Sequence, residues 1–208
     1  MVSRLDEVGL RHGTDKSSSH HDYLRHYETH LELSRTPIGS LLEVGVYDGG
    51  SLRMWREFFP EARIVCLDID PRCKAFEGGN AKVELCDQSD SSQLTAIGVK
   101  HGPFDVIIDD GSHIWSHQIL TFETLLPFLA QGGLYIMEDI DTSFGNFVEV
   151  YGQDSTISAA QYLIKITNYL IAGKEARLNE EPDLRIRSFL PRIDSVVFIR
   201  KSALIRCK

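Results

Sequence analysis

From about residue 41 to Asp139 the chain repeats one unit, a short apolar run followed by an amphipathic stretch. Strands are expected at Ser40 to Val46, Arg63 to Asp68, Lys82 to Cys86, Phe104 to Asp109 and Leu134 to Glu138. Helices are expected at Ser51 to Phe58, Pro71 to Phe76, Asp90 to Ile97 and Ile114 to Leu129. Strands separated by helical patterns of this length are the signature of βαβ units and a parallel sheet. The run Val106-Ile107-Ile108 is apolar without alternation, as a central strand covered on both faces requires.

The flanks follow other patterns. A polar turn from Gly13 to Ser19 precedes an expected helix from His20 to Leu33. A second helix is expected from Ser158 to Ala172, with Ala159, Leu163, Ile166 and Leu170 at helical spacing. Leu184 to Phe189 and Ser195 to Arg200 read as two strands closing an antiparallel pair at one sheet edge. The fold class is therefore α/β: a Rossmann-like, mostly parallel sheet with helices on both faces and a C-terminal antiparallel hairpin. A length of 208 residues suits one domain. We expect a helical cap segment over 1–39 and a core over 40–208.

A net charge of −8 argues against nucleic acid, which calls for a basic stripe. The opening residues Met1 to Asp6 hold no apolar signal core, and no stretch reaches membrane-spanning length, so no membrane partner is expected. Cys66, Cys73, Cys86 and Cys207 lack metal-site spacing and read as free thiols of a reducing, cytoplasmic setting.

In an open parallel sheet, ligands bind beyond the carboxyl ends of the strands. Two apolar runs end there in carboxylates: Ile107-Ile108-Asp109-Asp110-Gly111-Ser112-His113 and Tyr135-Ile136-Met137-Glu138-Asp139. Hard oxygen ligands suit Mg²⁺ or Ca²⁺, and a histidine beside them is placed to move a proton. Asp109 and Asp110 point to opposite faces of their strand, so only one is expected at a metal. The other would serve a cofactor or a backbone turn. His117, inside the following helix, is expected to be structural.

The first βα junction, Glu43-Val44-Gly45-Val46-Tyr47-Asp48-Gly49-Gly50-Ser51, has glycine spacing G-x-x-x-G-G and lacks the dinucleotide fingerprint. Its glycines and the helix N-terminus at Ser51 permit close approach of a ligand. Glu43 would suit a ligand carrying a cationic amino group. Alternatively the turn serves the fold alone. Asp68 ends the second strand, where an acidic residue accepts hydrogen bonds from ribose hydroxyls. Asp87-Gln88 ends the third and suits an adenine edge, while Ser89 or Asp90 caps the next helix.

Together Glu43-x-Gly45, Asp68, Asp87-Gln88 and Asp109-Asp110 resemble the cofactor positions of class I S-adenosylmethionine (SAM) dependent methyltransferases. The strings HGTDK, GGSLRMW, LDID, DQSD, GPFDVIIDDGSH, GGLYIMEDIDTS and DSVVFIRKS resemble one branch more closely. That branch is the metal-dependent sugar O-methyltransferases of macrolide and related antibiotic pathways (the mycinamicin and macrocin type). The resemblance runs from about His12 to the C-terminus. It implies SAM bound by Glu43, Gly45, Ser51, Asp68, Asp87, Gln88 and Asp109. It also implies Mg²⁺ on Asp110, Glu138 and Asp139, with His113 as general base. Members of the branch can carry a further N-terminal domain, which is not expected here, and are often homo-oligomers.

The implied reaction is methylation of a hydroxyl on a sugar or polyhydroxylated natural product in secondary metabolism. Two rivals stand beside it: an oxidative enzyme like the cephalosporin hydroxylases, and a non-catalytic SAM-binding scaffold. The cluster Thr14, Asp15, Lys16, His20, His21, Tyr23 and Tyr27 either closes over the cofactor or caps a packed helix.

Overall fold

The computed structural model describes residues 3–34, 37–173 and 183–208. Its centre is a sheet of seven strands: β1 Ser40–Val44, β2 Arg63–Asp68, β3 Ala81–Leu85, β4 Phe104–Asp109, β5 Leu129–Met137, β6 Ile193–Ile199 and β7 Ser202–Cys207. They lie in the order β3-β2-β1-β4-β5-β7-β6. β1 to β5 pair in parallel, and β7 runs antiparallel between β5 and β6. The order reverses direction between β1 and β4, the place where a parallel sheet opens a crevice for ligands.

Alternation along each strand divides the core in two. Leu42, Val65, Leu67, Ile107 and Tyr135 face a layer made by α4 Ser91–His101, α5 Trp115–Leu125, α7 Ala159–Ala172 and α8 Leu184–Phe189. Leu41, Ile64, Cys66, Val106, Ile108 and Ile136 face α1 Arg4–His12, α2 Leu24–Glu32 and α3 Gly50–Phe58. A short α6, Val148–Tyr151, precedes α7.

The N-terminal segment is more structured than its sequence implies. Ser3 caps α1 by accepting from the Asp6 N–H, and Gly13 ends it in the left-handed region. α2 starts at Leu24, not His20; residues before it form a compact turn held by Tyr23 N–H to Lys16 O and His21 N–H to Asp15 O, both 2.9 Å.

The C-terminal hairpin is present, with different strands. Leu184–Phe189 is a helix, because the Asp183 carboxylate caps it through the Arg185 and Ile186 N–H groups. Its buried residues, Ile186 and Phe189, stand three apart, as a helix face requires. The hairpin is β6 with β7, turning at Lys201 (φ 61°). Pro71–Phe76 is a 3₁₀ turn. Among the described residues, no helix is long and apolar enough to cross a membrane.

Candidate active site

Backbone hydrogen bonds carry the sheet one residue past its strands. Asp110 N–H donates to Val44 O and Glu138 N–H to Asp109 O, both at 3.0 Å. The ends of β1, β4 and β5 therefore lie side by side. Gly45 turns the chain away from β1 at φ +97°, and a Cβ there would collide with the Asp110 carbonyl oxygen. Only glycine lets the two tips come so close.

A cavity of about 650 Å³ opens beside these tips. Gly45, Asp68, Asp87, Gln88 and Asp110 border it, with apolar walls from Leu67, Ile69, Phe76 and Cys86. Asp68 accepts from the Val46 N–H at 2.9 Å, the Tyr47 N–H at 3.2 Å and the Asp70 N–H at 2.8 Å. Partial burial works against its charge, yet these N–H groups hold its pKa below the ordinary carboxylate value. Gln88 acts as a strut: Nε2 donates to Asp109 Oδ1 at 2.6 Å and Oε1 accepts from the Ser112 N–H at 2.8 Å. His117 also borders the cavity, its Nδ1 2.9 Å from Ser112 Oγ.

A carboxylate cluster adjoins the cavity, and Asp110 belongs to both. One ligand atom each from Asp110, His113 and Asp139 lie within 4.8 Å of one another. His113 Nε2 is 3.9 Å from Asp110 Oδ1 and 3.7 Å from Asp139 Oδ2. The backbone of His113 is left-handed (φ 58°), as is that of Asp139 (φ 52°). Two strained turns thus aim these side chains at one point. Tyr151 meets the His113 ring edge-on, with centroids 6.3 Å apart.

Lys16 enters this cluster from the N-terminal turn. Its Nζ donates to Asp110 Oδ2, lies 3.0 Å from Glu138 Oε2 and 3.7 Å from Glu43 Oε1. The side chain is 1% exposed. Burial disfavours its charge, but the three carboxylates outweigh burial and hold the ammonium protonated. Glu138 is buried and its pKa is pushed up by desolvation and by Asp110, with Lys16 opposing. Its Oε1 has no hydrogen-bond partner among the described residues.

Three expected cofactor contacts face elsewhere. Glu43 is fully buried, accepting from Ser51 Oγ at 2.8 Å and Trp55 Nε1 at 3.1 Å. Glu43 and Ser51 thus satisfy each other beneath the site instead of bordering the cavity. Asp109 is also fully buried, where Gln88 and Tyr135 (3.3 Å) donate to it. Strand alternation sends it away from Asp110, and burial raises its pKa to about 7. Asp87 stays exposed, with Oδ1 accepting from the Ser89 N–H and Oγ.

The sequence singles out Lys16 and Tyr23 as a cover for the cofactor or a helix cap, but not their contacts with the carboxylates. It does not single out Trp55, Tyr135 and Tyr151 as partners. The surplus of carboxylates over cations at the strand ends was the one signal for a buried lysine.

Residues 42–140 match a family described as a methyltransferase domain. The 8-demethyl-8-alpha-L-rhamnosyl tetracenomycin-C 2'-O-methyltransferase of Streptomyces olivaceus is 36% identical over 81% of this chain and 46% of its own length. Demethylmacrocin O-methyltransferase of Streptomyces fradiae is 39% identical over 67% of this chain and 37% of its own. The chain therefore spans less than half the length of these relatives. A solved MycE methyltransferase from the mycinamycin biosynthetic pathway, in complex with Mg and SAH, superposes with a TM-score of 0.83 at 28% identity. That match covers 100% of this chain and 55% of the other. Domain match, strand order and superposition together show a methyltransferase domain with its fold in this chain, and the relatives it resembles are sugar O-methyltransferases of the macrolide type.

Proposed function

We propose that the chain is a Mg²⁺-dependent O-methyltransferase that uses SAM to methylate a hydroxyl of a sugar or polyhydroxylated natural product. One observation carries this reading. Asp110 borders both the 650 Å³ cavity and the cluster of Asp110, His113 and Asp139, so a cofactor in one would adjoin an acceptor at the other. The rhamnosyl tetracenomycin named for one relative, and the mycinamycin VI bound with Mg and SAH in a second MycE structure, are glycosylated acceptors of this kind.

The residues fit a hard divalent cation. Lys16 occupies Asp110 Oδ2 and Glu138 Oε2, and the Tyr23 hydroxyl occupies Asp139 Oδ1. Among the described residues Glu138 Oε1 has no hydrogen-bond partner, and Asp110 Oδ1 and Asp139 Oδ2 face only His113 Nε2, at 3.9 and 3.7 Å; oxygen donors suit Mg²⁺ better than imidazole does. Glu138 lies outside the converging group of Asp110, His113 and Asp139. Its unpartnered Oε1 is the ground on which we assign it, with Asp110 and Asp139, to the ion and leave His113 as a base. The cavity fits a nucleoside: apolar walls for a purine, with Asp68 at the β2 end for ribose hydroxyls.

When bound, Mg²⁺ supplies a Lewis acid for the acceptor oxygen and SAM supplies the sulfonium methyl group. His113 takes the hydroxyl proton at Nε2, and the nearby Asp110 and Asp139 stabilise the imidazolium that forms. Gln88 braces the wall between cavity and cluster, keeping the two reactants aligned. The sulfonium leaving group needs no acid, and none is assigned.

The four cysteines are free and buried, which supports a reducing, cytoplasmic setting. The resemblance drawn from the sequence also implies a homo-oligomer. Calorimetric titration with SAM, using NAD as the control, tests the cofactor. Methyl transfer to a rhamnosylated acceptor, with and without EDTA, tests the reaction. Binding of NAD in place of SAM, or transfer that survives chelation, would overturn the reading.

A further inference from the structure

Lys16 lies in a turn that hardly lets it move. Ser17 Oγ donates to Thr14 O at 2.8 Å, the Ser18 N–H to Asp6 Oδ1 at 2.7 Å, and the Tyr23 N–H to Lys16 O at 2.9 Å. From that anchored backbone one ammonium reaches the ends of three neighbouring strands: Glu43 on β1, Asp110 after β4 and Glu138 after β5. With Asp139, four carboxylates converge on the site, and Lys16 is the one lysine or arginine ion-paired with any of them among the described residues. A buried charge so arranged fixes the rotamers of its partners, because an unpaired carboxylate there would be costly.

We propose that Lys16 is the resident counter-cation of the cluster. It positions Asp110 and Glu138 with one oxygen turned inward to its ammonium, and it sets how strongly the cluster draws a divalent ion. The proposal rests on the divalent-cation reading above. Two consequences have opposite signs. Removing the ammonium leaves one more uncompensated negative charge within a few ångströms of the ion site, which strengthens ion binding by at least about tenfold even at a high effective dielectric. It also frees Asp110 and Glu138 to rotate, which lowers turnover at saturating ion.

The test compares Lys16→Met, Lys16→Gln and Lys16→Arg with the unsubstituted protein. Mn²⁺ affinity is read by calorimetry, melting temperature with and without Mn²⁺, and kcat at saturating Mg²⁺. The neutral variants should melt lower without Mn²⁺, bind Mn²⁺ at least about tenfold more tightly, regain melting temperature when it is added, and lose kcat. Lys16→Arg keeps the charge and should stay within about threefold of the original Mn²⁺ affinity. A purely structural lysine predicts the reverse: all three variants weakened alike, with no rescue by Mn²⁺. That result, equal or weaker binding in the neutral variants, or failure of both to fold even in saturating Mn²⁺, would overturn the proposal. If the unsubstituted protein and the neutral variants all ignore Mn²⁺, the divalent-cation reading falls with it. If the unsubstituted protein binds and the variants do not gain, only the role of Lys16 falls.

Discussion

The Tyr23 hydroxyl donates to Asp139 Oδ1 at 2.6 Å, joining residues 116 positions apart. This bond ties the N-terminal turn to the end of β5 and fixes which oxygen of Asp139 faces His113. Tyr23→Phe keeps the ring contacts with His21 and Tyr27, whose centroids are 5.0 and 5.8 Å away. Stability should fall by about 1.5–3 kcal/mol, the usual worth of a hydrogen bond to a charged group. Turnover should fall about tenfold as Asp139 loses its orientation. Urea unfolding with steady-state kinetics decides it, and unchanged turnover would remove Tyr23 from the site.

Asp68 has two jobs that substitutions can separate. It orders the turn at Val46 and Tyr47, and we assign it the ribose hydroxyls. Asp68→Asn keeps the acceptor for the Val46 and Tyr47 N–H groups but turns an NH2 toward the Asp70 N–H and cannot accept from two hydroxyls, so SAM affinity should drop about tenfold with a stability loss of about 1–3 kcal/mol. Asp68→Ala should lose both. Equal calorimetric affinity in Asp68→Asn and the original protein would cancel the ribose assignment.

Glu84 gives a pH test remote from the site. Partial burial works against its charge, but hydrogen bonds from Lys100 and His101 win and depress its pKa to about 2. A depressed carboxylate adds stability above its unfolded pKa of about 4.3, and that stability is lost as pH falls through the folded value. Glu84→Gln should therefore be less stable than the original protein at neutral pH and converge with it near pH 2. Urea midpoints from pH 2 to 7 give the comparison; a gap that stays constant with pH would mean the shift is absent.

How much of this was legible depends on the range of the interaction. The strand ends were, because alternation and continuous apolar runs are local, and the same alternation predicted that Asp109 and Asp110 would part. Leu184–Phe189 misleads because Leu184, Ile186 and Ser188 alternate as strand residues do; the Asp183 cap decides for helix. Glu43 was expected to meet a ligand because it stands two residues before Gly45, where the first strand ends in a glycine turn. Its neighbours in space are Ser51 and Trp55, on the helix that packs over β1. Lys16 was the least legible, since its partners are 94 and 122 residues away and a lysine in a polar turn is ordinarily solvated.

Gly45→Ala tests the close approach of β1 and β4. The added methyl would meet the Asp110 carbonyl at a backbone conformation that alanine disfavours. We expect a loss of more than about 2 kcal/mol, since both strain and collision act on a buried backbone. SAM and Mn²⁺ binding should weaken together, because Asp110 belongs to both cavity and cluster. Loss of one without the other would mean that the two sites are not joined through this residue.

His113 is best tested by asparagine. At φ 58° His113 already bears the backbone strain of the left-handed region, roughly 1–2 kcal/mol, which alanine would keep and asparagine tolerates better. His113→Asn therefore isolates the chemistry. His113 does not border the cavity, so SAM affinity should be unchanged by calorimetry. Asp110 and Asp139 remain, so Mn²⁺ should still bind. Turnover should fall by about 10²–10⁴, the range for losing a general base, and added imidazole should restore part of it. Turnover at the original rate would exclude His113 as the base and leave the acceptor proton to another group at the cluster.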